Sequence, residues 1–142
     1  GEDVSSLIRT AEVSAAASGV STVKAVRRRM VALQQACAKK ASMVVDGRDI
    51  GTVVLPDASF KFYLTASPEV RAKRRYLEMQ QKGEPGSYEE VLAAVIARDD
   101  QDMHREADPL RRADDAFLID SSNLTLDETV QAMLDVIREA EK

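Results

Sequence analysis

The sequence predicts an α/β fold, a parallel sheet flanked by helices, and three observations carry that expectation. Short apolar runs at 43–46, 60–65 and 116–120 have the length and composition of buried strands. Segments with apolar residues at helical spacing lie between and after them. Three of those segments open on helix-start signatures, Ser67-Pro68-Glu69, Ser87-Tyr88-Glu89-Glu90 and Thr125-Leu126-Asp127-Glu128. Strands that alternate with helices pair in parallel, because a crossover helix returns the chain to the end of the sheet it left.

Taken in order, residues 1–19 are polar and rich in small side chains, and the abrupt Gly-Glu-Asp-Val start reads like the middle of a larger protein. From Ser21, Val23, Val26, Met30, Leu33 and Cys37 recur at helical spacing and predict an amphipathic helix with Cys37 as buried filler. Met43-Val44-Val45-Asp46 follows as a buried strand. It runs into Gly47-Arg48-Asp49-Ile50-Gly51, a loop placed where open α/β sheets bind ligands, outside the carboxyl end of a strand. Pro56-Asp57-Ala58 turns the chain into the aromatic strand at 60–65.

Ser67 caps a helix that runs to about Gln81 and stops at Gly83. It carries Arg71, Lys73, Arg74 and Arg75, four cations in five residues, which repel one another unless an anion or acid lies opposite. The helix from Ser87 has the stripe Val91, Leu92, Val95 and Ile96 and continues into Arg98, Asp102 and Arg105, spaced to share a face, before Pro109 ends the segment. Residues 116–120 form the third strand, and Thr125 opens a last helix with the stripe Leu126, Val130, Met133, Leu134 and Ile137.

Composition narrows the function. A chain of 142 residues, 44% apolar and 31% charged, suits one domain with a real core. A net charge of −4 and 4% aromatic residues argue against a nucleic-acid binder, although the arginines bunch at 27–29, 71–75, 98–105 and 111–112. One cysteine makes no internal disulfide, and a single histidine, His104, makes no metal cluster. No run approaches a membrane span and no signal peptide is visible, so a cytoplasmic location is expected, with no membrane partner.

Gly-Glu-Asp-Val near the start, Ile-Arg-Thr at 8–10, Asp-Gly-Arg-Asp-x-Gly-Thr-Val-Val at 46–54, Pro-Asp-Ala at 56–58 and Arg-Asp-x-x-Asp at 98–102 occur in that order. Together they resemble bacterial cytidylate kinase, a P-loop nucleoside monophosphate kinase that moves the γ-phosphoryl group of ATP to CMP or dCMP with Mg²⁺. Arg48-Asp49 directly after Asp46-Gly47 favours this member over adenylate or shikimate kinases, with UMP as a minor substrate. The resemblance implies that Ser18, Arg27 and Asp49 read the cytosine base, that Arg48 and Arg105 grip the CMP phosphate, and that Arg98 and Asp102 hold the ribose. By the same resemblance Asp46 holds Mg²⁺ through water, and Arg74 and Arg75 close over the transferring phosphoryl group. Residues 1–40 would complete the monophosphate-binding region and 41–142 the core α/β domain, with lid helices at about 67–106.

The family's phosphate-binding loop, G-x-x-x-x-G-K-[ST], occurs nowhere in these residues. The chain therefore resembles the carboxyl-terminal part of a cytidylate kinase, a P-loop kinase-like sheet incomplete at its amino-terminal end, without the first strand and the phosphate loop. Two expectations follow. The polypeptide alone is catalytically inactive or nearly so, a nucleotide-binding fragment; and its uncovered strands need a complementary amino-terminal segment or a swapped copy.

Overall fold

In the computed structural model, residues 3–5, 7–8 and 10–141 are described. The start of the Gly-Glu-Asp-Val motif and Arg9 of Ile-Arg-Thr lie outside them. The elements run α1 (Ala11–Ser21), α2 (Lys24–Ala38), a π-helical turn (Ile50–Val54), β1 (Phe62–Thr65), α3 (Pro68–Gln81), α4 (Tyr88–His104), β2 (Phe117–Asp120) and α5 (Leu126–Ala140). The fold is α/β. β1 and β2 pair in parallel with Phe62 opposite Phe117 and Thr65 opposite Asp120, and α3 and α4, packed on one another, form the crossover between them.

Three helix starts, those of α3, α4 and α5, are the ones the sequence announces. Ser67, Ser87 and Thr125 each accept a backbone N–H three residues on, and at Ser87 and Thr125 the carboxylates of Glu90 and Glu128 bond back to the cap to complete capping boxes. Gly83, at φ 70°, ends α3 in a left-handed conformation that costs glycine little. α1 was not anticipated; Thr10 caps it by accepting from the Val13 N–H, and its alanines supply helix propensity where the apolar period is weak.

Three expectations are corrected. Residues 43–46 do not form a strand: they are extended, and Val44 is fully exposed. The reason is that a strand exists only in a ladder, and the sheet here holds β1 and β2 alone, whose pairing does not reach this segment. The apolar run after Gly51 coils into the π-helical turn, which buries Val54 completely.

In α2 the inward face is not the apolar stripe. Val23, Met30, Leu33 and Cys37 are exposed, whereas Arg27 is buried with Val31 and Gln35 half-buried on its side of the helix. Polar anchoring decides that rotation: Gln35 donates to the Val54 carbonyl at 3.1 Å, and Arg27 is held by two carboxylates.

The buried apolar set is small, with Val54, Ala66, Ala72, Val91, Ala116 and Ile119. Leu64, Phe117, Leu118, Leu126 and Val130 remain exposed, so both strands and part of α5 carry uncovered apolar surface. The carboxyl ends of the two strands are tied instead by polar groups. The Ser121 N–H and hydroxyl both donate to the Thr65 carbonyl, the Ser67 N–H donates to Ser122 Oγ, and Arg74 reaches from α3 to the carbonyls of Ser121 and Leu124.

The bonds that close the two capping boxes hold the Glu90 and Glu128 carboxyls below their ordinary value of 4.5, the backbone N–H of Ser87 or Thr125 contributing most. Groups whose folded pKa is depressed stabilise the fold above the unfolded value and lose that contribution as pH falls through the folded one. Helical circular dichroism is therefore expected to stay flat from pH 7 to about 5 and to fall below about 4.5. A Glu90→Gln, Glu128→Gln double variant, which keeps the capping acceptors without the charge, should lose signal less steeply in that window; an unchanged slope would dissociate the boxes from the acid transition.

Candidate functional site

The loop after residue 46, the inner face of α2 and the end of α4 converge on one chain of alternating charges. Asp102, in the last turn of α4, is 5% exposed and is its centre. Its carboxylate accepts from Arg48 Nε at 2.8 Å and lies 3.8 Å from both Arg98 Nε and Arg105 Nη1. Arg105 also comes within 3.9 Å of Asp49, which is bonded in turn by Arg27. Arg27 ends the chain on Asp108, donating from Nε to Oδ2 at 2.9 Å.

Local structure explains why the chain can form. Arg98 and Asp102 are one helical turn apart, so they share a face of α4. Arg105 is not helical; as the C-cap it turns to φ −60°, ψ 142°, which carries its side chain back over the helix end. The Asp102 carbonyl is taken by the Leu110 N–H at 2.8 Å, so the segment after α4 folds back against the same turn. The buried partners are worth much only because each is answered: a lone carboxylate at this depth would carry an uncompensated desolvation penalty.

A second ion pair ties this centre to the sheet. Arg71 in α3 grips Asp99 of α4 with both Nη atoms, at 2.8 and 2.5 Å, while its Nε donates to the Ala66 carbonyl at the end of β1. Bidentate geometry of this kind sets orientation as well as energy. The Asp99 carboxyl is held below its ordinary range mainly by the Arg71 bonds, with the Arg48 charge adding to the effect, and Arg71 is pushed up by the same contact.

Four guanidiniums, Arg27, Arg48, Arg98 and Arg105, thus meet three carboxylates, Asp49, Asp102 and Asp108, which leaves one uncompensated positive charge. Two clefts open on either side of the 106–108 segment, sharing Lys24 and Ala107. One of about 450 Å³ is backed by Arg105, the other of about 360 Å³ by Arg27. Those volumes are of the size small-molecule sites have. An anion with a planar polar body is the kind of ligand that such a surplus of fork-shaped donors suits.

Of the residues singled out from the sequence, Arg27, Arg48, Asp49, Arg98, Asp102 and Arg105 come together in this network. Ser18 sits at its margin on α1, where Gln101 Nε2 approaches its hydroxyl at 3.5 Å. Arg74 and Arg75 do not join it: Arg74 is committed to the loop after β2, and Arg75 is exposed beside Glu78. Arg71 occupies instead the position facing the network. Asp46 is an exposed carboxylate at the head of the loop, and no group of three or more metal-ligating side chains occurs among the described residues. A single exposed carboxylate fits a magnesium ion that keeps most of its waters and is carried by substrate phosphates.

Sequence reasoning assigned nothing to Asp99 or Asp108. Asp99 had a usable signal, an acid four residues from nothing basic on its own helix yet facing a segment with four cations. Asp108 had a weaker one, an Asp-Pro step just past a helix end.

Comparison with known proteins gives the family of the chain. The family model described as cytidylate kinase matches residues 1–139. The cytidylate kinase of Geobacter sulfurreducens is 49% identical over 142 residues, all of this chain and 61% of that protein. Those of Caldicellulosiruptor saccharolyticus and Bacteroides thetaiotaomicron are 51% and 52% identical over 136 and 128 residues, 96% and 90% of this chain and 60% and 56% of theirs. The chain thus spans about three-fifths of the length of these curated relatives.

Removing the central carboxylate should leave three guanidiniums facing one another. Asp102→Ala is expected to lower stability by about 3 kcal/mol, the usual cost of breaking a buried pair on one side, seen as a fall in the urea midpoint. Arg75→Ala, on the exposed face of α3, should change it by less than about 0.5 kcal/mol. Equal effects would remove Asp102 from its central place.

Proposed function

The chain belongs to the cytidylate kinase family, and from that premise we propose that it carries the monophosphate-binding half of a kinase that transfers the γ-phosphoryl group of ATP to CMP or dCMP. The observation that supports this best is the convergence of six separated residues, from 27 to 105, on one network with a surplus positive charge. A nucleoside monophosphate brings the missing negative charge.

In this reading Asp49 accepts from the exocyclic amine of cytosine through Oδ1, since Arg27 takes Oδ2. Arg27 and Ser18 meet the acceptor atoms of the base, a division of donors and acceptors that also serves base reading in nucleic-acid complexes. Arg48 spends Nε on Asp102, which leaves its two Nη atoms for phosphate oxygens, and Arg105 supports the same phosphate. Arg98 and Asp102 hold the ribose hydroxyls. Residues 67–106 act as the lid, with Arg71 linking its two helices, and Arg74 and Arg75 would have to swing from their present positions to reach a transferring phosphoryl group. Phosphoryl transfer needs positioning and charge neutralisation more than covalent chemistry from the protein, and cations on a closing lid supply both. Mg²⁺ would arrive with ATP and be met by Asp46 through water. The setting proposed for this reaction is cytoplasmic.

One observation favours a narrower reading of this polypeptide by itself. The 142 residues contain no G-x-x-x-x-G-K-[ST] run, and without its backbone donors and lysine the β- and γ-phosphates of ATP lack their main grip. We therefore assign CMP binding to this chain and turnover to a polypeptide, or an assembly with a complementary segment or swapped copy, that supplies the loop.

Calorimetric titration separates the two parts of the proposal. CMP is expected to bind with one-to-one stoichiometry, Asp49→Ala to weaken it at least tenfold, the scale of one charged hydrogen bond lost, and ATP to give no saturable heat. CMP binding that Asp49→Ala leaves unchanged would overturn the base assignment, and turnover of ATP with CMP by the purified chain would overturn the narrower reading.

A further inference from the structure

Asp108 is the one described non-glycine residue with positive φ, 50°, and it sits immediately before Pro109. Left-handed backbone is uncommon for a side-chain-bearing residue, and it is tolerated best by Asn and Asp. That conformation gives one residue two acceptors facing different ways. The side chain takes Arg27 Nε on Oδ2 at 2.9 Å, while the main-chain carbonyl takes Arg105 Nε at 2.7 Å and its Nη2 as well. Arg27 and Arg105 are the two most buried guanidiniums of the network, with side chains 9% and 10% exposed. They stand on different elements, α2 and the end of α4, and both approach Asp49.

We propose that Asp108 is a positioning residue that orients Arg27 through its carboxylate and Arg105 through its carbonyl, so that the base-reading arginine alone depends on the side chain. The proposal rests on the reading of Arg27 as a base contact and Arg105 as a phosphate contact. With Nε fixed on Asp108 and Nη2 on Asp49, the plane of the Arg27 guanidinium is set by two bonds at adjacent corners, and Nη1 is directed to the Ser21 carbonyl side, 3.4 Å away. Remove the carboxylate and Arg27 keeps Asp49 and the long 3.4 Å contact to the Ser21 carbonyl but loses the bond that fixes its Nε edge. Arg105 keeps its carbonyl whatever the side chain at 108. A pre-oriented fork binds its ligand at lower entropic cost than one that must be ordered on arrival.

Two substitutions separate the side chain from the backbone. Asp108→Gly accepts positive φ and removes the carboxylate; Asp108→Asn keeps both the left-handed preference and an oxygen for Arg27 Nε, without the charge. Binding of CMP and of ribose 5-phosphate, which has the phosphate and sugar but no base, is measured for the wild type and both variants, with ¹⁵N spectra of the arginine Nε–H groups. The expected result is a roughly tenfold loss of CMP affinity in Asp108→Gly, ribose 5-phosphate affinity within about twofold of wild type, and recovery of most CMP affinity in Asp108→Asn. The Arg27 Nε–H signal should shift or exchange faster in Asp108→Gly while that of Arg105 stays.

Parallel loss of both ligands would mean a merely structural role, and parallel gain would mean that only the negative charge matters; either overturns the proposal. If the wild type binds neither ligand, the nucleotide reading of this chain fails by itself, and the spectra still decide the positioning claim: an unmoved Arg27 signal, or loss of both arginine signals, refutes it.

Discussion

Everything that gives this molecule a site depends on keeping one carboxylate, Asp102, answered by guanidiniums in a buried place. Three guanidiniums surround it, Asp49 answers Arg105 among them, and the chain of alternating charges runs on through Arg27 to Asp108, from α4 across the 48–49 loop to α2. Buried ion pairs seldom add much net stability against apolar substitutes, but they punish any arrangement that leaves one member alone. That asymmetry makes them good devices for register. Here they determine which face of α2 turns inward, where α4 ends, and how the loop after residue 46 lies, none of which the small apolar core could dictate.

The apolar contribution is thin for a chain of this length. Alanines and three larger aliphatic residues make up the buried set, while Phe117, Leu118 and Leu126 face outward. Polar ties compensate at the places that matter for a site. Arg71 of α3 joins the end of β1 to α4, Arg74 joins α3 to the loop after β2, and Lys61 pairs with Asp115 where the chain enters β2. The carboxyl ends of the parallel strands, where α/β folds place ligands, are thereby held more firmly than the faces of the sheet.

Functionally, the network does two things with the same groups. Its internal pairing holds the arginines in place, and two of them, Arg27 and Arg105, back the two clefts. The family model described as cytidylate kinase matches residues 1–139, and the last turn of α4 lines one of the clefts.

The sequence by itself determined the parts that rest on local chemistry: three helix starts announced by their caps and the strands expected at 60–65 and 116–120, which the fold forms at 62–65 and 117–120. Those signals are short-range, a hydroxyl within reach of an N–H three residues on, or an apolar run of strand length, and they survive whatever surrounds them. Tertiary structure alone decided what needs a partner from elsewhere. Residues 43–46 are strand-like in composition but become extended chain because a ladder requires a neighbour; α2 turns Arg27 inward, where Asp49 and Asp108 hold it, and leaves Met30 exposed; and Asp99 and Asp108 gain their importance only from arginines far away in sequence. A charge shows its sign in the sequence, but which opposite charge answers it is a matter of distance in space.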